Sequence, residues 1–308
     1  MDISKNTILE KYGNCDTSLQ LRVLNDNGIM LSKEEAISEL MQSKIINRLT
    51  NEIIEKPLFY VWRLIALSEI PHTIHLDYTK NLIDRIYNRL STPYGFSLSG
   101  NEKMFLPCYN AMIVSALSRL GRSDDIEVKH AVDWIMIYQP MERGVQVSLP
   151  KLKFDKYGGC FNNTPCYIGL AKSVMALIEY KKDSLNTDVN DKITKGVDYI
   201  LTHNLFKRKK SGKPITDRIL DISFPESYHL NIVELVRIIK EAKYMNDERT
   251  GEAVAFLLSQ RQKDGKWRIN YRYKADGYLV FDQGSKSGDW VSYIINQAIE
   301  KHNDINNC

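Results

Sequence analysis

The sequence predicts an all-α single domain whose helix pairs close into a ring, an α6/α6 barrel-like arrangement. Three observations lead there. The stretch 107-PCYNAMIVSALSRL-120 returns as 165-PCYIGLAKSVMALI-178, and in outline as 228-YHLNIVELVRII-239 and 290-WVSYIINQAIEK-301. An aromatic therefore recurs at Tyr109, Tyr167, Tyr228 and Trp290, spaced 58, 61 and 62 residues apart. Between these stand 131-AVDWIM-136, 196-GVDYIL-201 and 253-AVAFLL-258, each a small residue, Val, a variable position, an aromatic and two aliphatics. Each repeat is a helix pair, and such periodicity marks an array in which no unit buries its apolar face alone. Finally, the Tyr/Trp-marked helices carry hardly any charge in their first two turns, whereas partners such as 187-TDVNDKITKGVDYILTHN-204 have a polar face. That contrast sets an inner apolar layer against an outer layer facing water. Five to six pairs close such a ring; an open solenoid of stacked pairs is the rival arrangement.

In chain order, apolar residues at three- and four-residue spacing predict helices over 4–12, 17–26, 33–54, 57–70, 77–91, 107–120, 124–138, 165–180, 187–203, 226–243, 247–263 and 289–302. Ser32 ahead of Lys33-Glu34-Glu35 has the form of an N-cap with a capping box. Pro57, Pro107 and Pro165 stand at helix starts, where the missing N–H is harmless and the fixed φ helps. Strand signals are few: 145-VQVSL-149 and 267-WRINYRY-273 read as short hairpins within loops.

Composition fits one globular body. The 308 residues are 43% hydrophobic and 26% charged, and no Pro/Gly/Ser-rich linker divides them. A net charge of +4 favours neither a nucleic-acid binder nor an acidic tail, so no nucleic-acid partner is expected. The opening MDISKNTILEKYGN lacks the apolar core of a signal peptide, and no apolar run is long enough to span a bilayer. Five cysteines (Cys15, Cys108, Cys160, Cys166 and Cys308) are an odd number, which with the missing export signal points to reduced thiols and a cytoplasmic location. Walker, GxGxxG, HExxH, CxxC and GxSxG motifs do not occur. The run 207-KRKKSGK-213 reads mainly as a solvated loop, although clustered cations attract polyanions and leave peripheral membrane contact open.

In a ring, the shared ends of the inner helices surround one mouth. Tyr109, Tyr167, Tyr228, His229 and Trp290 are therefore candidate ligand-binding residues, because a concave, aromatic and sparsely polar surface suits a small molecule. For any one of these rings, interhelix packing is the competing explanation.

Against this background, 257-LLSQRQKDGKWRI-269 resembles the Gln/Trp repeat of terpenoid cyclases: Gly265 and Trp267 match, with Arg261 at a Gln position and Gln260 or Gln262 as substitutes. The segments CFNNTPCYIGLAKSVMALIE, SFPESYHLNIVELVRII and GSKSGDWVSY resemble bacterial prenyltransferase-like proteins, over roughly 105–302 and more faintly 17–100. The resemblance implies the α/α toroid of the prenyltransferase/terpenoid-cyclase superfamily, with an isoprenoid or other apolar small molecule in its centre.

Protein prenyltransferase β subunits hold zinc through Asp-x-Cys-Tyr and a later Tyr-His. Here Cys166 and His229 match and Thr164 replaces the aspartate. The resemblance thus implies zinc at Cys166 and His229 with a ligand missing, which Cys160, a nearby Asp or water would have to replace; a buried Cys and a hydrogen-bonded core His are the plainer explanation. The basic residues expected ahead of the Cys are absent, as are the aspartate-rich motifs of both cyclase classes. An acid for cyclisation would have to come from Asp282 or Asp289 in 281-FDQGSKSGDW-290, where a carboxyl against Trp290 is kept protonated; a loop carboxylate and a helix N-cap are the alternative. Two functions stay open: an isoprenoid-transforming enzyme, and a non-catalytic module of the same fold that holds a ligand or protein partner.

Overall fold

In the computed structural model, residues 5–102, 105–145, 147, 160, 164–184 and 188–299 are described. Among them the chain is mostly helical: α1 (Lys5–Tyr12), α2 (Thr17–Asp26), α3 (Lys33–Gln42), α4 (Lys44–Leu49), α5 (Pro57–Ser68), α6 (Asp77–Leu90), α7 (Pro107–Arg119), α8 (Ile126–Tyr138), α9 (Tyr167–Asp183), α10 (Asn190–Thr202), α11 (Ile232–Glu241), α12 (Gly251–Ser259) and α13 (Asp289–Ile299). The described sheet is a two-stranded hairpin, β1 (Ser91–Thr92) with β2 (Gly95–Phe96). No described helix is long and apolar enough to cross a membrane.

The apolar repeat helices form the core. Every residue of α7 from Pro107 to Ser118 is buried, as are nearly all of α5 and α9. Each fully buried large aliphatic or aromatic side chain contributes roughly 1.5–3 kcal/mol, so these helices carry much of the stability. Helix α7 packs between α5 and α9, and α11 between α9 and α13. At the other end of the chain, α13 reaches back to the first helices: Tyr293 sits edge-on to Tyr12 at 6.0 Å, and its hydroxyl donates to Asp26 at 2.9 Å. The polar partners α6 and α10 bury one face each. Gly196 lets α10 close on α9, since a Cβ there would stand 2.3 Å from Val174 Cγ2.

The expected helix over 33–54 is broken at Ser43. Its hydroxyl accepts the N–H of Ile46, while Asp16, already the N-cap of α2, accepts the N–H groups of Lys44 and Ile45. Four orphan donors at each helix start must be satisfied, and here two side chains far apart in sequence supply acceptors for a new helix. The helix expected from 226 begins at Ile232, because Asn231 caps it by accepting the N–H of Glu234 at 3.0 Å. The expected 247–263 helix is a 3-10 turn over 248–250 followed by α12. Of the 267–273 hairpin only one bridge forms, Trp267 with Gly288. The 145–149 hairpin lies largely outside the described residues.

Trp267 is fully buried and links two repeats. Its indole N–H donates to the Leu257 carbonyl at the end of α12, its backbone N–H donates to Ser292 Oγ in α13, and the Arg261 guanidinium lies 5.3 Å over its ring. Gly265, at φ +80°, makes the turn that brings Arg261 under the indole.

Candidate ligand site at the N-terminal ends of the buried helices

Four segments bring aromatic rings together. Helix α5 supplies Trp62, α7 supplies Tyr109, the loop ahead of α11 supplies Tyr228 and His229, and the irregular 271–278 segment supplies Tyr271, Tyr273 and Tyr278. Trp62 lies at the base, 5.9 Å from Tyr109, 5.2 Å from Tyr273 and 6.1 Å from Tyr278 between ring centroids. Tyr109 stacks on Tyr228 at 5.9 Å, and His229 meets Tyr271 and Tyr273 edge-on. These spacings suit aromatic pairs, whose quadrupoles favour offset and edge-on contact. Tyr228, His229, Tyr271, Tyr273 and Tyr278 are half-buried, whereas Trp62 is covered.

The 271–278 segment is held against α5 by a tight contact. Gly277 has φ +85°, and a Cβ there would lie 2.6 Å from Phe59 Cα and 2.7 Å from its carbonyl oxygen. Tyr278 is fixed from the other side by donating to the Pro225 carbonyl at 2.7 Å. Burial raises the phenol pKa values of Tyr109, Tyr273 and Tyr278, and that of Tyr228 to about 12. These hydroxyls therefore stay protonated at neutral pH, that of Tyr278 already donating to the Pro225 carbonyl.

Next to the rings are three thiols. Cys166, the N-cap of α9, takes a hydrogen bond from Cys160 and the N–H groups of Ile168 and Gly169; together these hold its pKa below the ordinary thiol value. Burial pushes the Cys108 thiol up to about 12.

Behind them a chain of buried charges crosses the helices. Lys172, 1% exposed, lies 2.9 Å from Glu226, 2.6 Å from Glu234 Oε1 and 2.9 Å from the Ser227 carbonyl. The approach to Glu234 is short but poorly aligned, and neither oxygen of Glu234 has a well-formed hydrogen bond. Burial raises the Glu234 pKa. For Glu226, burial acts the same way but Lys172 and Arg119 outweigh it and hold it low. Arg119 continues the chain from Glu226 at 3.3 Å to Glu69 at 2.9 Å. Glu69 also accepts a bidentate pair from Arg237, at 2.9 and 3.0 Å, and lies 3.4 Å from Arg22. Burial alone would raise the Glu69 pKa, but Arg119, Arg237 and Arg22 bring it down to about 2. A recess of about 470 Å³ opens over this end, where α5, α7, α9 and α11 finish.

The structure distributes the residues singled out by the repeat. Tyr109, Tyr228 and His229 join the aromatic group. Tyr167 packs instead on Tyr199 and His203, and its hydroxyl donates to the Leu205 carbonyl. Trp290 is buried against Phe224 and Phe281. Asp282 accepts the N–H groups of Trp290 and Val291, at 3.2 and 2.7 Å, as a cap for α13; burial raises its pKa. Asp289 pairs with Lys266 at 2.7 Å.

His229 stands ahead of α11, packed among tyrosines. Among the described residues no group of three or more His, Cys, Asp or Glu is arranged to hold a metal ion. Cys166 and His229 alone fall short of the three protein ligands a catalytic zinc requires, so no chemical step is assigned to a metal.

Trp62, Tyr273 and Tyr278 went unnoticed in the sequence. The available signal was the density of tyrosines in 271-YRYKADGY-278, unusual for a loop. No known protein family matches the chain, and no curated protein matches it.

Proposed function

We propose that this chain is an α/α toroid, of the kind shared by prenyltransferases and terpenoid cyclases, that takes an isoprenoid or similar apolar small molecule against the aromatic group at the N-terminal ends of its buried helices. The observation that carries the reading is the convergence of Tyr109, Tyr273 and Tyr278 on Trp62, with Tyr228 stacked on Tyr109, four segments of the chain in all. Ring closure is supported by the succession of contacts from α5 through α7, α9 and α11 to α13, and by Tyr293 reaching Asp26. Half-buried rings tipped with protonated hydroxyls give an apolar ligand contact area, together with a few donors to orient it. If a carbocation forms there, each facing ring stabilises it by about 0.5–2 kcal/mol.

A second reading, a non-catalytic binding module, is favoured by one observation: Asp282 and Asp289 are engaged as helix cap and ion pair. Incubation with farnesol and squalene, followed by thermal unfolding and product analysis, tests both. A ligand at about a hundred times its Kd stabilises by about 2.7 kcal/mol. A raised midpoint with new product supports the enzyme, and a raised midpoint alone supports the module. The absence of both shift and turnover would falsify the proposal.

A further inference from the structure

A separate cavity of about 840 Å³ lies where α9 and α10 meet the 205–215 loop, and it shares no lining residue with the aromatic group. Its volume falls within the roughly 300–1,000 Å³ of small-molecule pockets. Pro165 and Tyr167 at the start of α9, Tyr199 and His203 of the α10 end, and Ile215 form an apolar floor. Arg143, Lys209 and Lys210 stand around it.

The loop that closes the cavity is built to hold its shape. Asn204 and Leu205 reverse the chain at φ +42° and +67°, Lys207 bridges Pro214, and Ile215 N–H donates to the Phe206 carbonyl at 2.9 Å. Arg208 is used internally, donating to the carbonyls of Pro214 at 3.1 Å and Ile215 at 3.0 Å. His203 Nδ1 lies 2.7 Å from the Lys207 carbonyl, an acceptor, so this nitrogen carries the proton. Tyr167 donates to the Leu205 carbonyl. The floor and the loop therefore fix each other.

Two cations close to the cavity are neutralised. Lys207 pairs with Glu252 and Arg249 with Asp198. By contrast, among the described residues no carboxylate lines the cavity and none pairs with Arg143, Lys209 or Lys210. Arg143 and Lys209 are both near enough to His203 to add to the effect of burial in lowering its pKa. Like charges gathered over a low-dielectric floor raise the local potential and favour a multiply charged anion. A phosphate has oxygens enough for three donors, and the tyrosine, proline and isoleucine faces suit an apolar body.

We propose that this cavity binds a phosphate monoester with an apolar tail, the head held by Arg143, Lys209 and Lys210 and the tail lying on Tyr167, Tyr199 and Ile215. Such an ester is either free in solution or the headgroup region of an anionic lipid. The proposal is independent of the isoprenoid reading, which neutral ligands probe.

The test uses the full chain. Calorimetry with octyl phosphate, inorganic phosphate and octanol is combined with flotation on phosphatidylcholine vesicles with and without phosphatidic acid. Octyl phosphate should bind at least about tenfold more tightly than either fragment, a factor of ten in Kd being readily resolved. K209E/K210E should weaken it by about tenfold or more, while Lys243→Glu should leave it unchanged. Thr202→Trp, which fills the cavity, should remove octyl phosphate binding; if circular dichroism shows that variant unfolded, Ile215→Trp fills the space from the loop side. Binding of the soluble ester with these sensitivities supports a free ligand. Binding only to phosphatidic acid vesicles, with the same sensitivities, supports a lipid headgroup. Binding in neither format, or binding weakened as much by Lys243→Glu as by K209E/K210E, overturns the proposal.

Discussion

The two ends of the buried helices are built from different chemistry. Where α5, α7, α9 and α11 finish, Glu69, Arg119, Arg237 and Glu179 are tied into ion pairs, and Glu69 is 0% exposed with guanidiniums on both oxygens. Near the helix starts, Tyr228, Tyr273 and Tyr278 present half-buried rings beside the buried Tyr109, and their hydroxyls are protonated. Ion pairs so well satisfied leave little for a ligand to gain, whereas partly exposed aromatic faces leave more. The first end reads as stability, the second as binding, and substitutions should separate them.

The largest effect is expected at Glu69. Glu69→Ala leaves Arg119 and Arg237 buried without their carboxylate, a loss of about 3–5 kcal/mol, measurable by denaturant unfolding. Affinity for an apolar ligand, measured where the variant remains folded, should be unchanged. Acid unfolding sharpens the point. The Glu69 pKa falls from an ordinary 4.5 to about 2 on folding, so its stabilisation is complete above pH 4.5 and is lost as pH falls from there toward 2. At about 1.36 kcal/mol per pKa unit this is about 3 kcal/mol. Glu69→Gln should flatten that part of the stability profile; an unchanged slope would place the acid sensitivity elsewhere.

Gly277→Ala should come next. A Cβ at positive φ pressed on the Phe59 backbone costs roughly 1–3 kcal/mol. It should also displace Tyr273 and Tyr278 from Trp62, so ligand affinity falls along with stability. Affinity surviving that substitution would break the comparison. Smallest in stability is Tyr273→Leu: the side chain is half-buried and keeps its apolar bulk, so unfolding should shift by less than about 1 kcal/mol, while ligand affinity drops about tenfold, or about 1.4 kcal/mol.

The helical content was largely legible in the sequence because the repeat fixes which helices are apolar all round, and the Trp267 link was anticipated only through the resemblance of 257–269 to a Gln/Trp repeat. Boundaries set by distant partners were not. Asp16 caps a helix 28 residues further on, and nothing local to Ser43 announces it. The ionic chain was equally hidden, since Glu69 and Arg237 are 168 residues apart and each alone reads as a helix-end charge. For the site, Tyr109 and Tyr228 followed from the repeat. Trp62 did not, because in α5 it is one apolar residue among many. Tyr273 and Tyr278 reach the rings through the Gly277 contact, which only the fold reveals. The cation cluster of 207–213 is largely exposed, as a solvated loop should be, and the apolar surface beside it comes from α9 and α10, which the local sequence does not announce.

Photo-crosslinking tests the central claim most directly. A diazirine-bearing farnesol analogue, irradiated with the protein and mapped by peptide mass spectrometry, should label Tyr109, Tyr228 or the 271–278 segment, and excess unlabelled farnesol should compete the label away. Label confined to other surfaces, or label that farnesol does not displace, would contradict a binding role for the aromatic end.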